Sequence, residues 1–154
     1  MLTLAEPDDS LTEIRIASRA RWGIETLIVG EDSFALVEVI KRLQAGAAMA
    51  IAIDRPPERS EVRVELFGQS LGVSLVAAEL ARASGCALVG VTVVRNCEGY
   101  AVKVLPEFRY DRQALGNREA RRELMQKILR AFEPEISEHL DQWYQFVPIW
   151  PKAE

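Results

Sequence analysis

The spacing of apolar and polar positions divides the chain into about ten segments. Ser10-x-x-Glu13 has the form of a capping box and Gly23 that of a helix stop, which predicts a helix over about 10–22. Ile24 to Val29 reads as a short strand. Leu36, Val39, Ile40 and Leu43 recur at helical spacing, so a second helix is expected from Asp32 or Ser33 to just before Gly46. Ala48 to Ile53 is a continuous apolar run ending in Asp54, the pattern of a strand buried on both faces. Arg55-Pro-Pro-Glu-Arg-Ser60 must be a loop, because paired prolines fit neither a helix interior nor a sheet ladder.

In the second half, Val62, Val64 and Leu66 alternate with Arg63 and Glu65, a half-exposed strand that Gly68 ends. Val73, Val76, Ala77 and Leu80 place a third helix over about 73–84, with Gly85 as its cap. Ala87 to Val94 is the most apolar strand and is expected at the centre of the sheet. Asn96-Cys-Glu-Gly99 turns it back into Tyr100–Leu105 as an antiparallel hairpin. Asn117 caps a helix carrying Leu124, Ile128, Leu129 and Phe132, and Pro134 marks a fresh helix with Ile136, Leu140 and Trp143 on its apolar face. The expected fold is therefore α/β: one domain over 1–154, a layered mixed and largely parallel sheet flanked by helices, with a helical segment over 117–150 packed on it.

Composition narrows the function. The 154 residues are 49% hydrophobic and carry a net charge of −4, which excludes a disordered chain and a general nucleic-acid binder. Cys86 and Cys97 are too few for a disulfide framework and read as free thiols in a reducing compartment. No apolar run approaches about 18 residues, and Met1–Glu6 has no basic stretch, so neither a spanning helix nor a secretory leader is expected. The 15 arginines against 4 lysines reflect base composition for the most part.

Few residues carry chemistry. The single histidine, His139, has no partner spacing for a triad and reads as a surface or capping residue. No metal-ligand cluster and no glycine-rich phosphate loop is present. Asp54 stands at the end of an apolar strand, where open α/β sheets place ligands; it serves equally well as a cap for the Pro-Pro turn. With Asp8, Asp9 and Lys103 it also mimics a phospho-accepting receiver domain. The very short Met1–Ala5, a strand rather than a helix after Asp54, and the long tail beyond residue 115 count against that reading. Arg15 and Arg19 share a helix face as a small cation patch, and Arg118, Arg121 and Arg122 form another that reads as solvated. The aromatic tail Trp143–Trp150 is expected to pack back on the core, ahead of lying at a membrane interface.

Gly46–Asp54 with its Asp-Arg-Pro ending, Val62-x-Val-x-Leu-Phe-Gly68, Ala78-x-Leu-Ala81 and Ser84-Gly85-Cys-Ala-Leu-Val89 resemble the lipid A biosynthesis acyltransferases of the lysophospholipid acyltransferase superfamily. Arg15-x-x-x-Arg19-x-x-x-Gly23 and Asp141-Gln142-Trp143-Tyr144 extend the likeness over nearly the whole chain. The resemblance implies transfer of a fatty acyl group from acyl carrier protein or coenzyme A to a lipid hydroxyl at the cytoplasmic face of the membrane. The thioester is a co-substrate, and no separate cofactor or metal is implied. Arg19, Arg15 and Arg55 would bind substrate, and Asp54 would support the reaction. The family's His-x-x-x-x-Asp general base is missing: Tyr144 stands five residues after His139, and Gly90 replaces a frequent proline. The chain thus looks like the C-terminal half of the family fold, inactive alone. Alternatively it is a non-catalytic remnant that binds lipid or acyl carrier, and a homodimer is expected from exposed core surface.

Overall fold

The computed structural model describes residues 2–4, 9–29, 34–54, 62–145 and 149–150. It is a mixed α/β structure, and contacts within the chain gather into two units, Met1–Ala52 and Ile53–Glu154. In the first unit β1 (Leu2–Leu4) pairs in parallel with β2 (Leu27–Val29), and α1 (Asp9–Ala20) and α2 (Phe34–Gln44) are its helices. Helix α1 already includes Ser10, so that residue lies in the first turn rather than at the cap. The expected stop holds: Gly23 sits at φ +69°, a left-handed conformation that glycine adopts at no steric cost. On α2, Val39 is fully buried, while Arg42 reaches Glu38 at 2.7 Å and also pairs with Glu25. The expected start of α2 at Asp32 or Ser33 lies outside the described residues.

Ala48–Ile53 forms no strand. No neighbour pairs with it among the described residues, and its side chains alternate between exposed and half-buried instead of being covered on both faces. An apolar run records a tendency to be buried, and the ladder still requires a partner backbone.

The second unit holds the main core. β3 (Arg63–Leu66) and β4 (Gln69–Gly72) form an antiparallel hairpin, with Val64, Leu66 and Leu71 facing inward. β4 was not expected from the pattern, because the turn is made by Phe67 and Gly68, both at positive φ (51° and 72°). A two-residue hairpin loop of this kind matches strand twist but disfavours a bulky first residue. Val73 N–H donates to Val62 O (2.9 Å), so Val73 prolongs the hairpin and α3 starts only at Val76. Helix α3 (Val76–Ser84) ends as expected on Gly85 at φ +75°, whose N–H returns to Ala81 O.

β5 (Val91–Asn96) and β6 (Gly99–Val104) make the expected hairpin, with Val93 opposite Val102 and Asn96 opposite Gly99. The expected central position is not found: β5 pairs only with β6 among the described residues, and Val89, Val91 and Val93 are exposed. Residues 88–90 continue the pairing outside the ladder, since Leu105 N–H donates to Gly90 O and Phe108 N–H to Leu88 O.

Helix α4 (Arg118–Glu138) opens on Asn117, whose side chain accepts from Glu119 N–H at 2.8 Å. Leu124, Met125, Ile128 and Leu129 bury its inner face. Pro134 does not begin a new helix but lies inside this one. Proline there removes one backbone donor, yet Leu129 and Glu135 are buried on either side of it and hold the helix in place. Leu140 is exposed, so it does not continue the apolar face expected of it.

Two glutamines each satisfy one edge residue of a hairpin. Gln126 accepts from Glu65 N–H (2.7 Å) and donates to Glu65 O (2.8 Å). Gln142 does the same for Arg95, at 2.6 and 3.0 Å. A side-chain amide carries both an N–H donor group and a carbonyl acceptor, so it satisfies an edge residue as a neighbouring strand would.

Candidate functional site

Asp54 is half-buried at the start of the second unit, and the C-terminal tail holds it. Trp143 Nε1 donates to Asp54 Oδ2 at 3.1 Å, and Gln145 Nε2 donates to Oδ2 at 3.0 Å and to the Asp54 carbonyl at 3.2 Å. Both side-chain bonds fall on one carboxylate oxygen. Oδ1 takes none from the described residues, so the group is fixed in direction with one oxygen available as an acceptor.

The holder is itself held. Trp143 meets Phe67 edge-on, with ring centroids 6.2 Å apart, and Trp150 in the same way at 6.3 Å. Such pairs add about 0.5–1.5 kcal/mol beyond the area they bury. Phe67 N–H donates to Glu133 Oε1 at 2.8 Å. The strained Phe67 turn therefore presents a ring to the tail, and ring contact and hydrogen bond offset the left-handed backbone. Trp143, Ile149 and Trp150 pack on the core, as the first reading of the tail requires.

The other singled-out residues fall as follows. Arg19 belongs to the first unit, half-buried at the end of α1, with Nη1 at 3.5 Å from Thr26 Oγ1. Arg15 is exposed one turn earlier on α1. Arg55 lies outside the described residues. Asp54 belongs to the second unit. Of the late cation patch, Arg121 pairs with Glu79 (2.9 Å) and Arg122 with Glu119 (2.7 Å), so internal carboxylates meet these charges. The Arg122 guanidinium holds the Glu119 carboxyl below its ordinary range. Lys103 pairs with the buried Glu135, which raises the lysine's pKa. His139 is half-buried at the C-terminal cap of α4, where its backbone N–H reaches Glu135 O and Ile136 O. No group of three or more potential metal ligands is found among the described residues.

A separate cavity of about 550 Å³ lies beside the end of α3, lined by Cys86, Glu107, Arg109, Tyr110 and Arg112 among others. Tyr110 Oη donates to the Cys86 carbonyl, and burial pushes its pKa up. Arg112 donates to Arg82 O and Ala83 O, closing the carbonyl end of α3. Both cysteines are free thiols.

Asp54, the tail that holds it and the two hairpins all fall within one family match: the model described as bacterial lipid A biosynthesis acyltransferase covers residues 1–152. The chain belongs to the bacterial lipid A biosynthesis acyltransferase family. The family places it among enzymes that take an acyl donor and a lipid acceptor. Comparison with curated proteins found no match. No helix of this acyltransferase-family chain is long and apolar enough to cross a membrane among the described residues. Two parts of its candidate site, Trp143 and Gln145 as partners of Asp54, had no signal in the sequence: the contacts span 89 and 91 residues.

Proposed function

We propose that this chain supplies the substrate-binding part of an acyl transfer from acyl carrier protein or a coenzyme A thioester to a lipid hydroxyl, and that it does not turn over alone. The family match through residue 152 supports the substrate classes. One observation carries the second half: the only histidine is followed five residues later by Tyr144, not by aspartate. Attack of a hydroxyl on a thioester needs a base to take the hydroxyl proton as the acyl–oxygen bond forms and the thiolate leaves. His139 has no ring partner among the described residues, so nothing there orients it for that task.

In this reading Asp54 Oδ1 accepts a hydrogen bond from the lipid hydroxyl or from a base. Arg19, Arg15 and Arg55 are the substrate-binding cations, which take phosphate or developing negative charge as guanidinium forks do. The chain works at the inner face of the membrane.

The test is equilibrium binding of a fluorescent long-chain acyl-CoA and of phosphate-bearing lipid micelles. Saturable binding is expected, weakened about tenfold in Arg19→Ala, the loss of one charge-assisted contact. Absence of saturable binding for both ligands, or binding indifferent to Arg19→Ala and Asp54→Asn alike, removes the proposal.

A further inference from the structure

The β5–β6 hairpin is built with its apolar side outward. Strand alternation and the register put Val91, Val93 and Arg95 on the same face as Val104, Val102 and Tyr100, each opposite its partner. The five apolar residues of that face are all exposed, from 51% for Val91 to 76% for Tyr100, and Val89 prolongs the row. The opposite face carries Thr92, Val94, Ala101 and Lys103, and Lys103 reaches Glu135 of α4. An amphipathic hairpin packed on its own helix normally does the reverse. At Arg95 the edge is closed, because Gln142 satisfies its backbone.

We infer that this face is the contact between two copies of the chain. The exposed row amounts to roughly 600 Å² of apolar surface, the upper end of what soluble monomers carry. Covered on both copies it buries roughly 1,200 Å², the lower bound of a specific interface. The face is suited to itself: rows of β-branched side chains on two ladders stack across about 10 Å as two sheets do. A two-fold axis running across the strands lays each turn end over the other copy's open end, which keeps the two Arg95 guanidinium groups apart. A lipid surface fits less well. The face carries one cation, Arg95, and the chain's net charge of −4 opposes anionic headgroups.

The test is sedimentation velocity of the full 154-residue chain between about 1 and 100 µM, with vesicle co-sedimentation as a second arm. The wild type is expected to move from 17.3 kDa toward twice that mass as concentration rises. Val93→Glu with Val102→Lys puts a cross-strand ion pair on the same face, which preserves the hairpin. That variant is expected to stay at the monomer mass at every concentration, with an unchanged circular dichroism spectrum. If it loses its spectrum, Tyr100→Ser, at the most exposed position, replaces it and must shift dimerisation in the same direction. A wild type that stays monomeric throughout, or a folded variant that dimerises equally well, overturns the inference. A monomeric wild type that binds phosphatidylglycerol-containing vesicles through Val93 and Val102 overturns it in favour of a lipid surface.

Discussion

Gly90→Ala is the substitution whose effect follows most directly from the packing. Gly90 is buried where the hairpin meets α4. A Cβ built there would lie 2.8 Å from Leu105 Cδ1, 2.8 Å from Phe132 Cζ and 3.2 Å from Phe108 Cε2. Two of these are closer than carbon atoms approach, and all three belong to the core cluster or pack on it. Gly90 does not occupy the left-handed region, so the substitution brings no backbone strain and the cost is steric. Overpacking of a well-filled core costs about 1–3 kcal/mol. Alanine also restricts the unfolded chain, which returns about 0.4–1 kcal/mol. The net loss therefore spans about 0–2.6 kcal/mol with a midpoint of about 1.3 kcal/mol, which is roughly 3–5 °C in Tm for a chain of this size. Urea denaturation followed by tryptophan fluorescence gives the loss as a lower midpoint with unchanged slope. Phe132→Leu, which removes one of the two nearest contacts of the new methyl, should recover part of the loss in the double variant. A Gly90→Ala chain more stable than the wild type would refute the packing argument, since the unfolded-state gain would then be unopposed.

Asp54→Ala leaves Trp143 Nε1 without its acceptor in a half-buried setting and Gln145 Nε2 with only the backbone carbonyl of residue 54, a cost of about 1–3 kcal/mol. Thermal denaturation and a change in tryptophan emission report it, and Asp54→Asn, which keeps one acceptor, should lose less. Replacing Gln126 and Gln142 together by alanine uncovers the edge backbone of Glu65 and of Arg95. Stability should fall by no more than about 1 kcal/mol per site, because water reaches both, while light scattering during heating shows earlier aggregation. At high pH, Lys103 and Tyr110 act in the same direction. Both folded pKa values are raised, the lysine by Glu135 and the tyrosine chiefly by burial. Their stability contribution is complete below the unfolded values and is lost as pH rises through the folded ones. Denaturation midpoints should fall above about pH 10, less steeply in Tyr110→Phe and Lys103→Met; a midpoint that is flat with pH would contradict both shifts.

What the sequence disclosed was local. Gly85, the Asn96–Gly99 turn and the Asn117 cap act within a few residues of themselves, and each stands where it was expected. Failures arose where tertiary contacts override local preference. Phe67 is not a turn residue by composition, and it adopts positive φ with its ring against Trp143 and its N–H on Glu133. Pro134 breaks helices in isolation, and α4 runs through it between buried neighbours. Ala48–Ile53 has the composition of a central strand and no partner backbone among the described residues. The site was half legible: Asp54 stood out by following an apolar run, but periodicity cannot reveal a tryptophan 89 residues away.

The most direct measurement is acyl transfer itself. The purified chain is incubated with labelled acyl carrier protein or acyl-CoA and a lipid A precursor, with an active family member as control. The expected result is labelled lipid at no more than background, at least about 10²–10⁴-fold below the control, the loss that follows from a missing general base. Turnover at an ordinary enzyme rate of about 1–10³ s⁻¹, abolished by Asp54→Asn, would contradict the proposal that this chain binds without transferring.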